Sequence, residues 1–252
     1  MLVGGTISNL ITAIELSQTH DVTVVELNAE IGLPCVSPGH IRDLDVLEPY
    51  LTPEQLAFLQ PFSFEAGYTL RSEWVLKHLG THAAQKGVDI LTRTRICESF
   101  TTDDGFLIEF IGAGRARSGQ VEGKYLVDDR QWTYIAPGSK VHNIDSLESK
   151  VVPSFGVFIP MNGGTALQGD CLDLPSEIYS LPRHEGLTEV WQENFDWLPK
   201  RGWIETVQCS LPQKHLNRDI DAQINEGRRV ACLLYTSPSP RDRTRSRMPS
   251  SA

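Results

Sequence analysis

Apolar positions in this chain fall into short periodic runs separated by Gly, Pro and polar turns. Leu2-Val3 is a brief apolar run that enters the turn Gly4-Gly5-Thr6-Ile7-Ser8-Asn9. Ile7, Leu10, Ile11 and Ile14 recur at helical spacing and predict an amphipathic helix. Asp21 to Glu26 is a β-rich run ending on a carboxylate. Thr52 to Leu59 predicts a short helix, with Thr52 as cap, Pro53 in the first turn and Glu54 suited to the helix dipole. Phe62 to Leu70 is aromatic and reads as a strand. Ser72 to Lys86 predicts a helix with Trp74, Val75, Leu79 and Ala83 inward and Gly87 as its C-cap. Val88 to Leu91 follows as a short strand, so Tyr68 to Leu91 reads as a second strand–helix–strand unit.

Further on, Thr94–Phe100, Phe106–Ile111 and Val121–Val127 alternate apolar and polar residues and predict an antiparallel meander. Phe110-Ile111-Gly112-Ala113-Gly114 has the letters of a nucleotide turn, but no helical pattern follows, and it reads as a hairpin loop. Trp132 to Ala136 predicts a strand that stops at Pro137-Gly138 and returns to a parallel sheet. Val151 to Pro160 is strand-like, and Asn162-Gly163-Gly164 reads as a turn. Leu172 to Trp203 is read as loop-rich, with Pro175, Pro182 and Pro199 as turn markers. Its Trp191, Trp197 and Trp203 either line a cavity or form a small core. Trp203–Val207 predicts a strand, and Ile220–Val230 a helix that stops abruptly.

The opening order of strand, glycine turn, helix, strand and acid is that of a dinucleotide-binding βαβ unit. Glycines let the backbone approach a pyrophosphate, the helix N-terminus offers free N–H groups, and the acid accepts ribose hydroxyls. Glu26 lies about 20 residues past the glycines, as that chemistry requires. Laid on G-x-G-x-x-G, Gly4 is the first glycine, but Thr6 and Asn9 stand at the second and third positions. The first strand is also short, which reads as a start that has lost several residues or a start codon assigned too late. The loop Leu27 to Ile41 contains Cys35, Ser37, Gly39 and His40, and is either a plain connector or a segment that runs over a cofactor.

Composition narrows the class. The chain has 252 residues, 40% hydrophobic and 22% charged, which fits a globular protein with a sizeable core. Net charge is −9, which argues against a general nucleic-acid role. Five scattered cysteines without C-x-x-C spacing suggest neither zinc nor a disulfide framework, so a reducing cytoplasm is the expected compartment. No apolar run is long enough to predict a spanning helix. The end of the chain is rich in Ser, Pro and Arg and predicts disorder. From Cys232 onward it resembles the translated sequencing-adapter tail of metagenomic gene fragments, which would end the biological chain near Ala231. A basic RNA-binding tail built on Arg241, Arg243, Arg245 and Arg247 is the other reading.

The order of motifs resembles flavin-dependent oxidoreductases of the glutathione-reductase-like class, nearest to geranylgeranyl reductase and aromatic-ring hydroxylase relatives. Val3 to Leu10 is similar to their FAD pyrophosphate turn, and Val24-Val25-Glu26 to their ribose-holding strand end. Ile31 to Gly39 resembles the reductases' loop beside the flavin, with Pro38 intruding. Tyr68-Thr69-Leu70-Arg71 and Gly87 to Ile90 resemble their Arg-led helix and the strand that contacts adenine. Ala136-Pro137-Gly138 is similar to the turn that closes the cofactor domain. Phe155 to Pro160 is similar to an aromatic substrate-domain motif. Gly169-Asp170 has the letters of the ribityl-binding motif but no expected strand before it.

The resemblance implies an α/β fold: a Rossmann-like FAD/NAD(P)-binding domain with a β-meander over residues 1–150, a partial substrate domain over 151–231, and a disordered, non-native tail over 232–252. It implies FAD held by Gly4, Gly5, Thr6, Ser8, Asn9, Glu26, Leu27, Arg71 and Gly138, with NAD(P)H as an electron donor. It implies reductase or monooxygenase chemistry on a small organic substrate. No catalytic side chain is identified; Cys35 and His40 are the reactive types in the flavin loop. The alternative is a flavoprotein-like fold that has lost its cofactor and serves as a binding module, motivated by Thr6 and Asn9.

Overall fold

A computed structural model describes residues 1–112, 117–130 and 153–236. Its elements in chain order begin with β1 (Leu2–Val3), α1 (Ile7–Leu16), β2 (Thr23–Val25), β3 (His40–Ile41) and α2 (Pro53–Phe58). There follow β4 (Phe62–Phe64), β5 (Gly67–Thr69), α3 (Ser72–Gln85), β6 (Asp89–Leu91), β7 (Thr94–Thr101), β8 (Phe106–Gly112), β9 (Ser118–Gly123) and β10 (Val127–Asp128). The last are β11 (Phe158–Leu167), β12 (Tyr179–Arg183), β13 (Leu187–Gln192), β14 (Glu205–Pro212) and α4 (Ile220–Thr236).

The fold is mixed α/β. A parallel sheet has the order β10-β1-β2-β6. The chain passes from β1 to β2 and β6 on one side, while β10 joins on the other. The sheet order therefore reverses between β1 and β10. Helix α1 is amphipathic as its spacing predicts, and Ile7, Leu10, Ile11 and Ile14 are all buried against the sheet and α4. Helix α2 carries a full capping box: Thr52 Oγ1 accepts from Gln55 N–H at 3.3 Å and Gln55 Oε1 accepts from Thr52 N–H at 2.9 Å.

Strands β7, β8 and β9 form the expected antiparallel meander. Val127 does not extend it. That residue lies in β10 and pairs with Leu2 in the parallel sheet. Residues 132–138 lie outside the described residues. The unit read across Tyr68–Leu91 is also split. β5 pairs with β3 and β4 in a small antiparallel sheet, whereas β6 joins the parallel one.

The remaining sheet has the order β12-β13-β11-β14 and is antiparallel throughout. Asn162-Gly163-Gly164 is not a turn. It sits within β11, paired on both sides. The glycines are there because neighbouring rings occupy the side-chain space. A Cβ on Gly163 would lie 2.3 Å from the Trp191 ring, and one on Gly164 would lie 2.7 Å from the Trp203 ring. The stretch read as loop-rich holds β12 and β13, and Pro182 lies within β12, the strand at the sheet edge.

Helix α4 continues six residues past Val230. Ile220, Ile224, Gly227, Ala231 and Leu234 keep one buried face at helical spacing, and that stripe carries the helix into the first residues of the segment read as tail. Gly227 lets α4 press on α1: a Cβ there would meet the Ser8 carbonyl at 2.5 Å. Helix α4 thus belongs to the core built around α1 and the parallel sheet. Among the described residues no helix is long and apolar enough to cross a membrane.

Candidate functional site

The glycine turn lies at the C-terminal end of β1. Gly4 has φ +103°, a conformation that favours glycine, and a Cβ there would crowd the Asp129 carbonyl at 3.1 Å. A Cβ on Gly5 would strike Ile31 at 2.4 Å. Glu26 ends the neighbouring strand and folds over this turn. Its Oε2 accepts from Gly5 N–H at 2.6 Å and its Oε1 from Asn28 N–H at 2.7 Å. The Glu26 side chain is buried, while Leu27 beside it is 59% exposed.

Thr6 and Asn9, the two departures from the glycine pattern, both have structural work. Thr6 caps α1, accepting from Asn9 N–H at 3.2 Å, and its hydroxyl donates to Asp129 Oδ2 at 2.5 Å. Asn9 turns its amide back and donates to the Val3 and Gly4 carbonyls, each at 2.9 Å. Its Oδ1, the Ser8 hydroxyl and Asp129 Oδ1 are buried with no hydrogen-bond partner among the described residues. The N–H groups of Ile7 and Ser8, first in the helix, have no intrahelical acceptor. Asp129 was missed from sequence because Val127, two residues before it, was read as the end of the meander, whereas it belongs to β10 of the parallel sheet. Burial pushes its carboxyl up to about 8, against the opposing pull of the Thr6 hydrogen bond. At pH 7 the group is therefore mostly neutral.

A separate cleft of about 200 Å³ lies between the loop after β2, the start of α3 and the large antiparallel sheet. Leu33, Pro34 and Cys35 line one side, Arg71 and Glu73 the α3 side, and Arg183, Glu189, Trp191 and Glu205 the sheet side. Glu189 is the joint of this region. It pairs with Arg183, accepts from Trp191 Nε1–H at 2.6 Å, and accepts from Gly39 N–H at 3.0 Å. Gly39 itself packs on the Leu70 carbonyl so closely that no Cβ fits. Sequence alternation along β13 is the signal that could have placed Glu189 on the same face as Trp191.

Arg71 belongs to this cleft, and its partners there are not the glycine turn. Its guanidinium pairs with Glu73, lies 3.6 Å from Glu205, and stacks 5.0 Å over the Trp74 ring. Cys35 Sγ is 2.9 Å from Ser72 Oγ. Burial, and then the charges of Glu73 and Glu189, push its thiol up to about 12, so it holds no thiolate near neutral pH. His40 is bound at Nδ1 to Asp219 at 2.8 Å and at Nε2 to the Ala66 carbonyl at 3.0 Å. Burial opposes its charge, but these hydrogen bonds prevail and raise its pKa. It fixes β3 to the segment before α4 and does not line the cleft beside Cys35.

Of the residues expected to form one site, Gly4, Gly5, Thr6, Ser8, Asn9 and Glu26 stand together. Arg71 stands apart in the cleft, and Gly138 lies outside the described residues. Gly169-Asp170 does follow a strand, β11, but one of the antiparallel sheet, and Asp170 is bound to Arg201 at 3.0 Å. Among the described residues no group of three or more His, Cys, Asp or Glu is placed to hold a metal ion.

No protein-family model and no curated protein matches the chain. Solved structures do match in fold. A geranylgeranyl bacteriochlorophyll reductase-like protein from Thermoplasma acidophilum aligns with TM-score 0.63 and 13% identity, over 92% of this chain and 76% of that one. The protein AlpK aligns with TM-score 0.59 and 11% identity, over 95% and 63%. The anhydrotetracycline hydroxylase OxyS from Streptomyces rimosus aligns with TM-score 0.53 and 13% identity, over 94% and 62%. The chain thus spans about three quarters of the first and under two thirds of the other two. Its fold is shared with structures of a reductase-like protein and a hydroxylase.

Proposed function

We propose that this chain is part of an FAD-dependent oxidoreductase, of reductase or monooxygenase type, acting on a small organic substrate. The observation that carries this reading is the convergence of three groups at the reversal of the parallel sheet. The Gly4-Gly5 turn, the N-terminus of α1 and the Glu26 carboxylate meet at the C-terminal ends of β1 and β2, with β10 on the other side. Crevices at such reversals are where open α/β sheets bind ligands. In this reading residues 1–150 form the cofactor unit, and residues from 151 on bring the substrate-facing sheet, with α4 returning to the first core through Leu234.

The residues present fit the group. Ile7 and Ser8 offer free N–H donors to a pyrophosphate, Gly4 and Gly5 add no side chains of their own to the turn, and Glu26 is the acceptor for ribose hydroxyls. Asp129 would repel phosphate if ionised, but its burial holds it neutral near pH 7. FAD, when bound, supplies the hydride or oxygen-activating chemistry, and NAD(P)H is the proposed donor. The chain's own part is to hold the cofactor and to shape the cleft beside Cys35.

A second reading, a flavoprotein-like fold kept as a binding module, is favoured by the Thr6–Asp129 hydrogen bond and by the Glu26 carboxylate covering Gly5 N–H. The visible absorption spectrum after incubation with FAD and desalting separates the two. Retained bands near roughly 370 and 450 nm are expected of the oxidoreductase. A folded but colourless protein supports the binding module instead.

A further inference from the structure

A second cleft, of about 150 Å³, lies beside the first and is lined by Leu59, Leu70, Trp74, Leu187 and Ile204 among others. The two share Arg71, Thr165, Arg183 and Glu205. Their boundary is therefore made by side chains, and the contact across it is the Arg71–Glu205 pair. This pair differs from its neighbours. Arg183 and Glu189 are 11% and 4% exposed, whereas Arg71 and Glu205 are 39% and 58% exposed and 3.6 Å apart. An exposed pair of that length contributes little stability. Arg71 also keeps Glu73 and the Trp74 ring when Glu205 leaves.

We infer that the two clefts are halves of one groove, parted by the Arg71–Glu205 contact, and that the groove takes a small aryl- or alkyl-bearing ligand with a protonated amine, whose ammonium replaces Arg71 as the partner of Glu205. Together the halves reach the low end of the volume of small-molecule sites. Three carboxylates, Glu73, Glu189 and Glu205, face two guanidinium groups, Arg71 and Arg183, in the first cleft. Glu189 is spent on a buried ion pair with Arg183, and Glu73, itself buried, on Arg71. Glu205 keeps a single long contact and is 58% exposed, and the apolar walls and the Trp74 and Trp191 rings suit the body of an organic cation. A carboxylate ligand would meet the surplus negative charge.

The inference names a substrate class for the proposed oxidoreductase and rests on that reading only for the chemistry. Calorimetric titration of the full chain with 2-phenylethylamine, 2-phenylethanol and 3-phenylpropanoate tests it, alongside Glu205→Gln. The amine is expected to bind in preference to the other two. Glu205→Gln is expected to weaken it by about tenfold, equivalent to about 1.4 kcal/mol, with no change in melting temperature. Tighter binding of the carboxylate, equal binding of the amine to Glu205→Gln, or binding of none of the three overturns the inference. Absorption spectra of the same FAD-treated samples keep the two ideas apart. Retained flavin without amine preference sinks this inference alone, and amine preference without retained flavin sinks the oxidoreductase reading alone.

Discussion

The Trp191 indole fills the space that a side chain at Gly163 would need. The two residues face each other across β11 and β13, and a Cβ on Gly163 would lie 2.3 Å from the ring. Trp191 is buried and its Nε1–H is held by Glu189, so the ring has no free direction in which to retreat. Gly163→Ala is therefore expected to cost about 1–3 kcal/mol, the range for overpacked cores. Denaturant unfolding followed by tryptophan fluorescence measures it. An alanine variant as stable as the parent would mean that the ring does not lie over this position.

Glu26 satisfies two backbone donors at once, those of Gly5 and Asn28. Glu26→Ala leaves both half-buried donors without their partner and is expected to cost about 1–3 kcal/mol. It should also reduce flavin retention, because the ribose acceptor is gone. Glu26→Gln keeps one acceptor oxygen and should fall between the two. Parallel melts and post-desalting spectra of the three proteins check the order. A Glu26→Ala protein that melts normally and retains flavin would remove this residue from the site.

These two cases show which parts of the fold were legible in the sequence. The α1 stripe, the Thr52 cap and the short strand before Glu26 follow from local spacing and capping chemistry, and each is found where it reads. The misread elements are those whose reason lies elsewhere in the chain. Gly163 and Gly164 look like a turn because glycine usually marks one, yet their purpose is to admit Trp191 and Trp203 from other strands. β10 is two residues long, too short for any periodicity, so Asp129 could not be placed beside Thr6. Arg71 leads its helix as expected, but only the second sheet brings Glu205 to it. The tail composition hid the last turn of α4, whose Ala231 and Leu234 continue the buried face.

Restoring the glycine pattern is expected to harm the protein rather than improve it. Asn9 holds the Val3 and Gly4 carbonyls, and Thr6 both caps α1 and binds Asp129. Asn9→Gly gives up both side-chain hydrogen bonds and adds glycine to a helix, for about 1–3 kcal/mol. Thr6→Gly costs less at the cap itself, about a few tenths of a kcal/mol, but leaves the Asp129 carboxyl without its donor. The double variant should melt lower than either single one, with no gain in flavin retained. Stronger flavin retention at unchanged stability would instead identify these side chains as the block.

Asp129 gives the pH dependence a sign. An unfolded aspartate titrates near about 3.9, whereas burial raises the folded group to about 8. Between those values the folded protein holds a proton that the unfolded chain has lost. The stability that this proton brings is complete below the lower pKa, declines as pH rises, and is gone above the upper one. Asp129→Asn is neutral at every pH and keeps an acceptor for the Thr6 hydroxyl. Melting temperatures from about pH 5 to about pH 9 should thus fall more steeply for the parent than for Asp129→Asn, with the variant the more stable at the alkaline end. Ionisation of Asp129 also places negative charge beside the α1 N-terminus, where a pyrophosphate would sit. Flavin retention by the parent should drop over the same interval, and Asp129→Asn should hold it. Parallel pH profiles for the two proteins would place the titrating group elsewhere and leave Asp129 a structural partner of Thr6 only.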